Sequence, residues 1–248
     1  MRERRDAIPL SVTQAAAADA GLKATMPFGR PFLDHVLHSL ADAGVREAGL
    51  VIGREHDEVR AYYHGLATTR IRITFVEQAE PLGTADAVWS ARDWALDRSF
   101  LVLNADNLYP VDVLGRMVEG THPALPGFEL GSLGIPPERA ASFALLETMD
   151  GHLTHIVEKP GLDAVRTAGP HASISMNLWR FDARIFPACR DVPVSARGER
   201  ELPQAVQLAV SNGVPFQVIP VRGVVLDLSS RADVAHVARA LEGRVVEL

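Results

Sequence analysis

Apolar positions in the first half of the chain switch between two periods. Phe32, Leu33, Val36, Leu37 and Leu40 recur at helical spacing, so residues 32–43 read as a helix that stops at Gly44. Residues 48–52 form a short apolar run ending at Gly53, which reads as a strand, and residues 57–63 read as a helix. Ile71, Ile73 and Phe75 alternate with polar neighbours, so residues 70–76 form a second strand. Residues 85–95 follow as a helix. Phe100, Leu101, Val102 and Leu103 make a continuous apolar run, as expected of a central strand buried on both faces. Strand and helix alternate through this half, which predicts an α/β fold with a largely parallel sheet and helices on its faces.

The second half is less regular. Helices are predicted over residues 111–119, 184–189, 202–212 and 231–241, with Gly213 stopping the third. Strands are predicted over residues 129–133, 141–147, 152–158, 173–181, 216–220 and 224–228, with some antiparallel pairing. Met149-Asp150-Gly151 is a hairpin turn signal. Residues 11–20 read as a weak alanine-rich helix or a loop. No repeat or long linker divides the 248 residues, so residues 1–248 are read as one domain.

Composition narrows the function. Net charge is −6 with no basic block, which argues against nucleic acid as the main partner. No apolar run is long enough for a membrane span, and the single cysteine, Cys189, excludes an intrachain disulfide. A reducing, cytoplasmic setting is the expectation. Cys189 follows an apolar segment with no nearby histidine, so a buried thiol is expected. The nine histidines show no metal-binding spacing. Lysine is the sharper signal, because Lys23 and Lys159 are the only two among 25 basic residues. An ammonium is a compact charge with rotatable donors, which an arginine fork does not always replace beside a phosphate.

Polar residues cluster where apolar runs end. Asn104-Ala105-Asp106-Asn107 follows the residue 100–103 strand, at the carboxyl end where open α/β sheets bind ligands. The same residues also suit a plain turn. Lys23 precedes Met26-Pro27-Phe28-Gly29-Arg30-Pro31. Gln78 precedes Leu82-Gly83-Thr84-Ala85. Later come Val157-Glu158-Lys159-Pro160, Arg197-Gly198-Glu199 with Glu201-Leu202, and Leu226-Asp227-Leu228. In that order these motifs resemble the sugar-1-phosphate nucleotidyltransferases, a family with a three-layer αβα, Rossmann-like (GT-A-like) fold and a mixed, largely parallel central sheet. The similarity runs from about Lys23 to the last helix.

The resemblance implies a reaction in which a sugar-1-phosphate and a nucleoside triphosphate, UTP or dTTP by preference, give a nucleotide sugar and pyrophosphate. It implies Mg²⁺ as cofactor, with Asp106 and Asp227 as its ligands. Lys23 is implied as the catalytic cation on the nucleotide side. Lys159 holds the sugar phosphate, with Glu158 on sugar hydroxyls and Asn177 in the sugar-side strand. Gln78 reads the base, Gly83 admits it, and Thr84 completes the nucleotide contacts. Simpler readings stand beside these: Asp227 as a helix cap, Glu158-Lys159 as an exposed ion pair, Gln78 as a solvated loop residue. For Asp227, Ser229 or Ser230 could cap the last helix equally well.

Three departures from the family pattern stand out. The family opens with a strand and glycine-rich loop ending in Gly-Thr-Arg, whereas this chain begins Met1-Arg2, which implies N-terminal incompleteness and a start further upstream. Asn177 replaces a glycine before Leu178-Trp179, and asparagine tolerates left-handed backbone angles. Val225 replaces an aromatic residue two positions before Asp227. Other readings are a non-catalytic nucleotide-sugar-binding homologue, or a cytidylyltransferase acting on a phosphorylated alcohol. A homo-oligomer is compatible with the sequence.

Overall fold

The computed structural model describes residues 23–248. The predicted helix or loop at residues 11–20, and the start of the chain, lie outside the described residues. After a 3₁₀ turn at Lys23–Thr25, a minimal hairpin pairs β1 (Pro27–Phe28) with β2 (Arg30–Pro31) and leads into α1 (Phe32–Asp42). Then come β3 (Glu47–Ile52), α2 (Asp57–His64) and β4 (Arg72–Glu77), with β3 and β4 paired in parallel. The predicted helix over 85–95 is divided at Ala91 into α3 (Thr84–Ser90) and α4 (Arg92–Ala95). β5 (Phe100–Leu103), β6 (Asn107–Leu108) and α5 (Val111–Glu119) complete this half.

The second half supplies β7 (Ala124–Glu129), α6 (Pro137–Ala140), β8 (Ala144–Met149), β9 (His152–Glu158) and α7 (Leu162–Ala168). β10 (Ser173–Ser175), β11 (Leu178–Phe181), α8 (Ile185–Asp191), α9 (Leu202–Ser211), β12 (Gln217–Val221), β13 (Leu226–Asp227) and α10 (Val234–Leu241) follow. Seven strands form the main sheet in the order β10-β8-β9-β12-β7-β11-β5, with β10 also pairing β7. The mixed α/β architecture is the expected one. Its parallel ladders are β3–β4 and β7–β12, and the other pairings are antiparallel. The parallel share is smaller than the strand–helix alternation suggested: in the second half β8 and β9 form a tight hairpin, and β10 and β11 pair antiparallel with strands far away in sequence.

Three expectations are corrected. β5 is not doubly buried: it ends the sheet order, pairs only with β11 among the described residues, and is half-buried throughout. The strand predicted at 129–133 is instead β7 followed by a 3₁₀ turn at Leu130–Ser132; Pro126 and Gly127 inside β7 disguised it as a loop. The run 173–181 is split at Met176-Asn177, where Asn177 takes φ 59°. The hairpin signal held: Asp150 and Gly151 have φ 51° and 76°, both positive as a type I′ turn requires. Cys189 is buried, and that burial pushes its thiol up to about 12.

Two apolar clusters sandwich the sheet. One gathers Phe32, Val36 and Leu37 of α1, Val59 and Tyr63 of α2, and Val113, Leu114 and Met117 of α5. The other gathers Ala85 and Val88 of α3 with Trp179, Phe181, Phe186, Ala205 and Phe216. Fully burying a side chain of this size contributes about 1.5–3 kcal/mol, so these clusters hold the layers together and fix where strands end.

Candidate active site

Asp106 and Asp227 are brought together by backbone pairing. β13 runs antiparallel to β6, setting Asp227 opposite Asn107 and Leu226 opposite Leu108. The Leu228 amide donates to the Asp106 carbonyl at 2.9 Å. Burial and the nearby Asp227 charge push the Asp106 carboxyl above its ordinary value, and Lys23 opposes them. Lys23 donates through Nζ to the Ser229 carbonyl, two residues beyond Asp227. Three predicted residues, Lys23, Asp106 and Asp227, therefore share one corner of the sheet rim.

The helix-cap reading of Asp227 does not hold. Ser230 caps the turn at Arg231–Asp233 in a reciprocal box with Asp233, which leaves the Asp227 carboxylate to other partners. Those partners are Ser229, whose hydroxyl donates to Oδ1, and Arg139, whose Nη2 donates to Oδ2 at 2.8 Å. Arg139 also donates through Nη1 to Asp233, so one guanidinium ties two carboxylates.

Gln78 follows β4 at the carboxyl end of the β3–β4 pair, where its amide donates to the Ile52 carbonyl at 3.0 Å. Its side-chain nitrogen is already engaged, donating to the Gly83 carbonyl at 3.0 Å and to Asp86 Oδ2 at 2.9 Å. Gly83 has a requirement of its own. With φ 108°, its missing Cβ would stand 2.4 Å from the Arg200 carbonyl oxygen and 2.7 Å from the Arg200 nitrogen. The Arg200 amide donates to the Leu82 carbonyl, the Ala85 amide donates to the Arg200 carbonyl, and Thr84 Oγ1 accepts from the Leu202 amide. The loop before α3 is thus latched to the segment before α9.

That segment carries Glu201, which Arg197 holds at 2.7 Å. Burial and the charge of Glu201 raise the Glu158 carboxyl, against the pull of Lys159 and Arg197. Register shows how Glu158 reaches this rim. Glu158 lies opposite Ala144, and Ala144 opposite Ser175, so Glu158 stands about two strand spacings, or ~10 Å, from Ser175. Asn177 comes two residues later, just before Leu178, which pairs with Leu103 at the end of β5. Lys159 is exposed and sits at φ 45°, an uncommon backbone state for a residue with a Cβ. Among the described residues the Glu158-Lys159 ion pair is not formed.

Two contributors escaped sequence reasoning. Arg139 lies on α6, 88 residues from Asp227, and no motif marks it. Tyr109 is buried, and its hydroxyl donates to the Met176 carbonyl at 2.6 Å, beside the Asn177 bend. Its place three residues after Asp106 was the available signal.

A family model described as nucleotidyl transferase matches residues 19–230. The chain belongs to this family. Among curated relatives of this nucleotidyl transferase, it is 29% identical over 217 residues to a glucose-1-phosphate thymidylyltransferase of Streptomyces antibioticus, covering 86% of this chain and 58% of that one. It is 27% identical over 209 residues to a UTP–glucose-1-phosphate uridylyltransferase of Haloferax volcanii, covering 83% and 81%. A low-salt glycan biosynthesis nucleotidyltransferase of the same organism is 25% identical, covering 83% and 56%. The chain thus spans little more than half the length of several curated relatives it matches. A UDP-glucose pyrophosphorylase complexed with UDP-glucose superposes with a TM-score of 0.71 at 15% identity, covering 89% and 90%, which shows a shared fold. Among the described residues, no helix is long and apolar enough to cross a membrane.

Proposed function

We propose that this nucleotidyl transferase joins a sugar-1-phosphate to a nucleoside triphosphate, UTP or dTTP by preference, and releases pyrophosphate. The observation that carries the reading is the meeting of Lys23, Asp106 and Asp227 at the carboxyl end of β5. Relatives named as glucose-1-phosphate thymidylyl- and uridylyltransferases support the substrate class. The attacking phosphate monoester has a second pKa of about 6, so it is already ionised and needs no general base. What the protein must provide is alignment of two polyanions and stabilisation of the developing charge.

Lys23 offers an ammonium to the triphosphate. Lys159 offers one to the sugar phosphate, while Glu158, raised by burial and Glu201, accepts from sugar hydroxyls. Asn177 shapes the sugar side through its left-handed backbone. Gln78 keeps its side-chain carbonyl for the base, because its nitrogen is spent on Gly83 and Asp86. Gly83 and Thr84 hold that loop against Arg200 and Leu202, a positioning role beside the nucleotide.

The chemistry of the donor set suits a hard divalent cation. Asp106 accepts no side-chain hydrogen bond among the described residues and stands beside a second carboxylate, as a Mg²⁺ ion held by one or two carboxylates requires. Asp106 and Asp227 would hold Mg²⁺, which when bound supplies neutralising charge for phosphate oxygens. The test is pyrophosphate release with each of the four nucleotides against a panel of sugar-1-phosphates. Turnover with UTP or dTTP supports the reading. Nucleotide-sugar binding without any turnover overturns it in favour of a binding homologue, and turnover confined to CTP with a phosphorylated alcohol reassigns the substrates. Cell fractionation checks the proposed cytoplasmic location.

A further inference from the structure

Gln78 is held by two partners that only accept. Its Nε2 donates to the Gly83 carbonyl at 3.0 Å and to Asp86 Oδ2 at 2.9 Å, which occupies both amide hydrogens. A backbone carbonyl and a carboxylate have no hydrogen to give. Turning the amide over would set Oε1 against both of them, acceptor facing acceptor. The orientation of a side-chain amide follows from its neighbours, and these neighbours permit one orientation. Oε1 therefore stands on the far side of the amide, where it accepts no hydrogen bond among the described residues.

Asp86 is placed for this contact from two directions. It lies in the first turn of α3, three residues after Gly83. The Gly83 carbonyl also accepts from the Ala87 amide at 3.0 Å, so both partners of Gln78 belong to the start of one helix. From across the latch, Arg200 Nη1 lies 3.8 Å from Asp86 Oδ1, the carboxylate oxygen that Gln78 does not use. The Asp86 side chain is only 12% exposed, so water competes little for its oxygens. An acid in a first turn also supports its helix through the backbone dipole. That role needs only a charge, whereas the contact with Gln78 needs an acceptor on one side of the amide.

An amide locked this way reads bases in one sense. Uracil and thymine carry a hydrogen on ring nitrogen N3, and guanine carries one on N1, at the middle of the pairing edge. Cytosine and adenine carry a lone pair at the same place. Oε1 bonds the first group and repels the second. An amide free to turn would suit both, offering oxygen to one and nitrogen to the other. Discrimination comes from the repulsive contact and the unpaired site group as much as from the bond itself.

We propose that Asp86 is a positioning residue for base selection: by engaging the Gln78 nitrogen it makes Gln78 an acceptor only, favouring a base with a protonated ring nitrogen over cytosine or adenine. The inference rests on Gln78 facing the base, as in the proposed function, and adds the residue that decides which end of the amide does so.

Equilibrium titration with UTP, dTTP, CTP and ATP tests it through binding, without turnover. Wild type should bind UTP about tenfold or more tighter than CTP, the scale of one hydrogen bond. In Asp86→Asn the new amide can donate to Oε1, so Gln78 can turn, and the UTP-to-CTP ratio should fall about tenfold. A purely helical role for Asp86 predicts instead that every nucleotide weakens alike. A second measurement needs no variant. In wild type without nucleotide, the side-chain amide hydrogens of Gln78 should exchange about tenfold more slowly than those of the exposed Gln204, read by nuclear magnetic resonance. Equal exchange overturns the inference, as does wild type that does not distinguish UTP from CTP. An unchanged ratio in Asp86→Asn overturns it alone and leaves the proposed reaction standing. Failure of wild type to bind any nucleotide removes the proposed function, and this inference with it.

Discussion

Arg139 and Asp227 are joined at 2.8 Å, and the same guanidinium reaches Asp233. Both carboxylate side chains are nearly buried, at 7% and 11% exposed. A carboxylate there without a cation is costly, and a planar fork serves two of them where an ammonium would not. Arg139→Met is expected to lower unfolding stability by about 2–4 kcal/mol, with Arg139→Lys recovering only part. Urea denaturation measures both; an unmoved midpoint in Arg139→Met means the bridge holds nothing.

Asp106→Asn keeps the size of the side chain and removes a negative charge beside Asp227. Pyrophosphate release is expected to fall by about 10²–10³-fold, on the scale of losing one charge-stabilising group. The melting temperature should hold or rise, because the variant relieves the repulsion that raises the Asp106 carboxyl. Full turnover in the variant would remove Asp106 from the proposed metal site.

Glu158 gives a stability signal with a definite sign. Its folded carboxyl is raised, so the folded protein holds that proton when the unfolded chain has released it. Its contribution is complete below the ordinary glutamate value and is lost as pH climbs from there through the raised folded value. Carboxylates lowered by arginine partners, such as Asp42 and Glu129, slope the opposite way, so the difference between wild type and Glu158→Gln is the quantity to read. The variant should gain on wild type across that window and keep the gain above it. Urea midpoints taken at a series of pH values would show a constant difference if Glu158 titrated normally.

Gly83→Ala places a methyl group against the Arg200 backbone at a left-handed φ. A loss of about 2–4 kcal/mol is expected from strain and overpacking together. Gly169→Ala is the control: its φ is 76°, but nothing lies within 4 Å of the added carbon, so about 1 kcal/mol should suffice. Thermal melts of the pair separate crowding from backbone strain, and equal losses would mean the Arg200 contact is slack.

Legibility in the sequence followed the range of the interaction. α1, β3, α2, β4 and α9 were readable because their apolar periods are local. β7 was hidden by Pro126 and Gly127, whose conformations are set by partners: Pro126 pairs with Ile219, and Gly127 leaves room for the Ser173 hydroxyl. At the site, Asp106 and Asp227 stood out as acids after apolar runs. Their meeting depends on the β6–β13 ladder, and Arg139 enters through a contact 88 residues long. The role expected of Gly83 was close approach by a base, whereas the backbone it demonstrably admits is that of Arg200.

The latch between Leu82, Gly83 and Thr84 on one side and Arg200 and Leu202 on the other ties together two stretches more than a hundred residues apart. Gln78 hangs from one end of it and Glu201, the neighbour of Glu158, from the other. Under the proposed roles of Gln78 and Glu158, the grips on nucleotide and sugar share this latch, so a substitution that retunes one is expected to register in the other.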